Sequence, residues 1–215
     1  MKKFSFLFLS VFLFFVSCSQ NINEILSSSN TLILDYSDET QKPSMRLSVF
    51  VKTNGDVRHF KMLRLYSSQA NYEWTVDNLV MVDKNNEMYA GYTNFIVPQG
   101  ELIPQGEYEA SFISYNDEEN TTNFFLQYDQ SLKDMSPVEA ENYFKNNGSE
   151  EYVLIYNEED RVLFFGKKTE KQQTENDIWL NYKTSKSYYT IWLKPDNSIM
   201  CIMPEKTIKR GETDE

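Results

Sequence analysis

Between residues 31 and 203 the chain alternates apolar and polar positions over short runs. Met45, Leu47, Val49 and Val51 alternate with Arg46, Ser48 and Phe50, a period of two that predicts a half-buried strand. Thr31–Tyr36 is an apolar run before it. Val57–Leu65 follows Thr53-Asn54-Gly55-Asp56, a turn that predicts a hairpin. Within Val57–Leu65 the alternation slips: Phe60 and Met62 share one face, Leu63 and Leu65 the other, which a β-bulge near Met62 explains. Tyr72, Trp74 and Val76 alternate again. Leu79–Val82, Met88–Tyr92 and Asn94–Val97 are further short runs, with Asn85-Asn86 as a turn, and Thr121–Gln127 closes the series.

Leu102-Ile103-Pro104-Gln105-Gly106-Glu107-Tyr108 leads into the strand Glu109–Tyr115. This segment resembles the tyrosine corner of immunoglobulin-like and fibronectin type III sandwiches, in which an early tyrosine hydroxyl bonds back to a turn just upstream. The resemblance implies an antiparallel β-sandwich over residues 31–128, with Tyr108, Ala110 and Phe112 facing its core. Residues 129–204 read as a smaller β-rich module with one helix. Ser136-Pro137-Val138-Glu139 is a capping box with proline at the first helical position, and Asn146-Asn147-Gly148 predicts the stop. Tyr152–Tyr156 with Arg161–Phe165, and Ile178–Tyr182 with Tyr188–Leu193, read as two hairpins, and Ser198–Met203 as a last strand. Lys167–Asn176 reads as a polar loop and residues 205–215 as a flexible tail. The fold class is therefore mainly β. Whether the two modules share a core is open at this stage.

The N-terminus follows another rule. Met1-Lys2-Lys3 precedes Phe4–Val16, thirteen residues that are nearly all Phe, Leu and Val. As a helix they span about 20 Å, short of the ~30 Å hydrocarbon core, so the stretch reads as a signal-peptide core. It ends Val16-Ser17-Cys18. This resembles the lipobox of bacterial lipoproteins in the relaxed form of spirochaetes, with Phe15 where leucine is usual. The resemblance implies a signal peptide over residues 1–17, diacylglyceryl modification of Cys18, anchoring in the cell envelope, and a polar tether over residues 18–30. No acidic residue directly follows Cys18, and the resemblance to that family then implies the outer membrane as the destination.

Composition narrows the partners. The 215 residues carry a net charge of −11, which opposes nucleic acid and anionic bilayers as electrostatic partners. Two cysteines exclude a disulfide-rich scaffold, and a single histidine makes histidine-rich metal sites unexpected. His59 lies between Arg58 and Lys61 and reads as a solvated strand residue. Cys201, in Ile199-Met200-Cys201-Ile202-Met203, reads as an inert core thiol. Asp117-Glu118-Glu119 and Glu158-Glu159-Asp160 sit at turns. They read as solvated acidic loops, with calcium binding as the alternative. No phosphate-cradling loop is present, no cofactor is expected, and no catalytic residue or metal ligand is assigned.

One constellation points to a ligand. If 178–193 is a hairpin, one face carries Ile178, Leu180, Tyr182, Tyr189, Ile191 and Leu193. The other carries Asp177, Trp179, Asn181, Tyr188, Thr190 and Trp192. Trp179, Asn181, Tyr188, Thr190 and Trp192 would then form either a platform for a glycan or peptide, or a face covered by the helix at 137–145 or by the sandwich. Three functions follow: a non-catalytic, membrane-anchored binding or adhesion lipoprotein for protein or glycan; a periplasm-facing structural or assembly component; and a carboxylate-based hydrolase.

Overall fold

The computed structural model describes residues 24–39, 41–84, 86–98 and 101–208. The signal peptide, Cys18 and residues 209–215 of the expected tail lie outside them. The fold is mainly β. Residues 25–126 supply eight strands: β1 (Ile25–Asp35), β2 (Ser44–Thr53), β3 (Phe60–Ser67), β4 (Tyr72–Val76), β5 (Val80–Lys84), β6 (Glu87–Phe95), β7 (Gly106–Ser114) and β8 (Glu119–Leu126). They form two facing rows, β1-β2-β6-β5 and β4-β3-β7-β8. This is the strand order of an immunoglobulin-type sandwich. Leu32, Leu34, Leu47 and Val49 from one row meet Leu63, Leu65, Ala110 and Phe112 from the other in one buried cluster.

The tyrosine corner is formed. The Tyr108 hydroxyl donates to the Pro104 carbonyl at 2.6 Å, and the Tyr108 ring stacks on Phe124 with centroids 5.1 Å apart. Burial pushes the Tyr108 phenol well above its ordinary range. Tyr108→Phe leaves that carbonyl unpaired in a site that is 1% exposed. The expected cost is about 1–3 kcal/mol, read as a lower urea midpoint at unchanged slope.

Two local expectations turn out differently. The bulge in β3 is present, with the register against β7 shifting between Phe60 and Met62. The hairpin expected at Thr53–Asp56 is not: β2 and β3 lie in different sheets. The Asp56 carboxylate accepts from the Arg58 backbone N–H and its guanidinium. Those bonds hold its pKa down to about 2 and start a 3-10 turn, Val57–His59. Val57 enters the core there, and the chain crosses the sandwich instead of doubling back.

The C-terminal part continues the sandwich. β9 (Glu150–Asn157), β10 (Val162–Lys167), β11 (Ser185–Leu193) and β12 (Ile199–Ile202) extend the larger sheet in the order β10-β9-β11-β12-β1-β2-β6-β5. The joint is a parallel pairing of β1 with β12, Leu32 opposite Ile199 and Leu34 opposite Cys201. It covers the edge that β1 would otherwise expose. Residues 25–30, expected as tether, run as the first half of β1, because their backbone groups pair with β2 from Thr53 to Val49. Residues 206–208, expected as part of the tail, belong to the fold: β13 (Lys206–Thr207) pairs with β11, and Ile208 is buried.

The helix α1 (Pro137–Asn146) starts on a complete capping box, Ser136 with Glu139. It ends before Gly148, whose φ of +71° suits glycine. Its Phe144 is fully buried in the same cluster as Leu34, Phe112, Trp192 and Cys201, so the two expected modules share one core. A second cluster, Val153, Ile155, Ile178 and Ile208, lies under a second helix, α2 (Glu175–Asn181).

Candidate functional site

The five residues of the expected platform do not form one exposed face. Residues 175–181 are α2, not a strand. Thr174 and Asp177 form a complete capping box, with the Asp177 N–H donating to Thr174 Oγ1 at 3.1 Å and the Thr174 N–H donating to Asp177 Oδ2 at 2.9 Å. Helical spacing then buries Ile178 and leaves Leu180 54% exposed, where a strand would have put both on one face. Trp179, on α2 itself, and Tyr188 are partly buried and pack against the second cluster. Asn181 caps inside the helix, its amide donating to the Asp177 carbonyl at 2.8 Å. Trp192 is only 4% exposed and sits in the main core, with the Lys145 ammonium 5.4 Å from its ring centre. Thr190 lines a cleft of about 210 Å³ with Pro137, Val138, Met203 and Pro204.

The catalytic candidates are also placed. His59 is exposed at the end of the 3-10 turn. Cys201 is fully buried, and burial pushes its thiol up to about 12, so at neutral pH it is not a nucleophile. The acidic turns face cations: Asp117 pairs with Lys61, Glu119 with Arg64 and Asp160 with Lys186. Among the described residues no three carboxylate, imidazole or thiol groups converge closely enough to hold a metal ion.

A different site emerges on the smaller sheet. Its outward face bears a groove of about 500 Å³ over β3, β7 and β8. The register sets it in two rows. Tyr66 lies opposite Glu109, and Glu109 opposite Asn123. Glu107 lies opposite Phe125, beside Ser68, whose backbone N–H donates to the Glu107 carbonyl at 3.3 Å. Phe125 is 59% exposed. The Tyr66 hydroxyl donates to Asn71 Oδ1 at 3.1 Å, which fixes one wall. Asn71 reaches this position from a φ of +50°, a conformation asparagine tolerates. Gly106 opens β7 at the groove's end with φ +116° and the Gln69 amide where a Cβ would stand.

The uncompensated charge in this groove is negative. Arg64, two residues from Tyr66 on β3, is held by Glu119 at 2.5 Å. The side-chain carboxylates of Glu107 and Glu109 have no hydrogen-bonded or ionic partner among the described residues, and both residues are solvent-exposed. Two carboxylates two positions apart on one strand face lie about 7 Å apart at Cα, flanked by the exposed Phe125 and the half-buried Tyr66. A cation between them would meet negative charge from both and the negative π-face of a ring. Sequence reasoning passed over these residues. Alternation did put Glu107 and Glu109 on the outer face of β7, opposite Tyr108 and Ala110. That Tyr66 and Phe125 flank them depends on β3 and β8 being the neighbours of β7, a long-range fact. Searches of known protein families, of curated proteins and of solved structures find no match to this chain.

Proposed function

We propose that the chain is a non-catalytic, lipid-anchored envelope protein that binds a basic segment of a partner protein. The observation that carries the reading is the groove: two glutamate carboxylates without a cationic partner beside two aromatic rings, with the nearby Arg64 already held by Glu119. An arginine or lysine side chain laid along it places its cation between Glu107 and Glu109 and its methylene stem against Phe125. The net charge of −11 steers a basic partner toward the protein over a Debye length. The lipobox at Cys18 supplies the anchor, and two or three acyl chains hold a protein stably at a membrane. The outer membrane is the proposed location. A hydrolase would need one carboxyl desolvated and the other ionised. Both glutamates here stand in solvent, which favours binding over that chemistry.

The test is capture of a random-sequence peptide library by the full chain in membranes. Peptides with Arg or Lys beside an apolar residue should be enriched, and binding should fall as salt rises. Glu107→Gln with Glu109→Gln should weaken binding at least tenfold, and Phe125→Ala about tenfold. Enrichment of acidic or uncharged peptides, or enrichment indifferent to these substitutions, would remove the groove from the account. Binding to a glycan array alone would reassign the ligand class. Protease accessibility on intact cells then separates a surface receptor from an assembly component that faces the periplasm.

A further inference from the structure

The start of β1 and the end of β2 fix where the chain enters the fold. Ile25 lies opposite Thr53, and the Asn54 N–H donates to the Glu24 carbonyl at 3.1 Å. From Asn54 the chain crosses to the smaller sheet through Val57–His59. The Tyr115 N–H donates to the His59 carbonyl at 3.0 Å, just beyond Ser114, which lies opposite Phe60. Strands of facing sheets in a sandwich stay roughly aligned, so Glu24 and Tyr115 stand at one end of it. The groove stands toward the other end, because Glu107 lies about 23 Å along β7 from Ser114. We infer that the end bearing Glu24 and Tyr115 rests on a lipid bilayer, with Leu26 and Tyr115 at the headgroup level, and that the groove is thereby held away from the membrane.

This orientation rests on the anchor proposed at Cys18. Residues 19–23 are all that separate Cys18 from Glu24, a reach of about 22 Å at most. An inverted molecule would need that segment to run back beside β1, whose eleven residues cover about 33 Å end to end. Two exposed side chains stand beside the attachment point: Leu26 is 55% exposed and Tyr115 73%. Tyr115 sits on the turn between β7 and β8, which closes with the Asp117 N–H on the Ser114 carbonyl at 3.0 Å. A ring with a polar tip suits the headgroup layer, which is apolar on one side and wet on the other. Ion pairs at this end, Asp56 with Arg58, Lys61 with Asp117 and Lys52 with Glu87, cancel charge there. The groove's glutamates carry negative charge without a cation, so an anionic bilayer repels that face more than the end.

The test places the full chain, purified from membranes, in phosphatidylethanolamine–phosphatidylglycerol vesicles that contain a lipid spin-labelled at its headgroup. Cys201 is fully buried, and in the anchored chain the Cys18 sulfur is taken up in a thioether. A thiol-reactive fluorophore then reports the cysteine introduced for it, with the unaltered chain as background. Asn116→Cys, beside Tyr115, should be quenched at least threefold more than Phe125→Cys at the groove or Phe165→Cys on β10. All three positions are exposed, so these variants leave the core intact. Tyr115→Ser in the Asn116→Cys chain should at least halve the quenching while the chain stays on the vesicles. Equal quenching at the three positions, stronger quenching at position 125 or 165, or indifference to Tyr115→Ser would each overturn the orientation with the anchor still standing. A chain that leaves the vesicles, with Cys18 open to the fluorophore, would remove the anchor and the orientation together. None of these readouts depends on what the groove binds.

Discussion

Trp192→Ala is expected to unfold the whole molecule more easily, by about 3–5 kcal/mol, and in one transition. Trp192 belongs by sequence to the C-terminal β-rich segment. Its side chain lies in the same buried cluster as Leu34 and Phe112 of the sandwich and Phe144 of α1. Across the ladder it faces Cys201 on β12, which itself pairs with β1 of the sandwich. Removing the indole leaves a cavity where both halves of the chain meet. If the halves were independent units, the substitution would lower one melting step and leave the other in place. With a shared core, fluorescence and far-UV circular dichroism should report the same lowered midpoint. The conservative partner sharpens the test. The Trp192 indole N–H is buried without a hydrogen-bond partner among the described residues. Trp192→Phe loses some volume but also removes that unpaired donor, so its cost should stay near 1 kcal/mol. A large loss for Trp192→Phe would point to a hydrogen bond at the indole in place of packing.

What the sequence announced, and what it withheld, divides by distance along the chain. Signals that act within four residues were readable. The Ser136–Glu139 capping box with Gly148 beyond it bounded α1, and the slip between Met62 and Leu63 marked the bulge in β3. The run from Pro104 to Tyr108 announced the tyrosine corner. The same kind of signal was present at Thr174–Asp177. It lost to a stronger-looking alternation of Ile178, Leu180 and Tyr182, which also satisfies helical spacing for Ile178 and Tyr182. An Ile-x-x-x-Tyr pair fits both periods, and only the cap decides between them. The Asn54-Gly55 turn misled for a different reason. It makes a reversal easy, but a buried Val57 rewards crossing to the opposite sheet more than pairing with β2 does. Pairings between distant segments were not readable at all. Nothing local to Ile199–Ile202 says that it runs parallel to β1. Nothing local to Glu107 says that Phe125 stands across from it. The candidate groove is built from such pairings, so no local pattern marks its residues, whereas the aromatic residues from Trp179 to Trp192 stand close together in the sequence.

Gly91→Ala is expected to be the most damaging single-atom addition in the fold. Gly91 lies on β6 opposite Phe50 of β2. That ladder shifts register between Leu47 and Val49, where β6 advances from Phe95 to Tyr92, so the two strands press together beside the irregularity. A Cβ at Gly91 would stand 2.1 Å from the Val49 carbonyl oxygen and 2.7 Å from the Phe50 Cα. Both are backbone atoms of a central strand. Val49 and Val51 on either side are fully buried, so β2 has no room to retreat. Relief requires the strands to part, which breaks ladder hydrogen bonds and opens the core beneath Val49. The expected cost is about 3 kcal/mol, at the upper end for overpacking. Gly106→Ala provides the contrast. There the atoms in the way belong to the Gln69 side chain, which can swing aside, and the remaining cost is the strained φ, about 1–2 kcal/mol. Urea denaturation of both variants checks the order. Equal losses would mean that β2 shifts readily enough to admit the Cβ, and close approach would not explain why glycine stands at position 91.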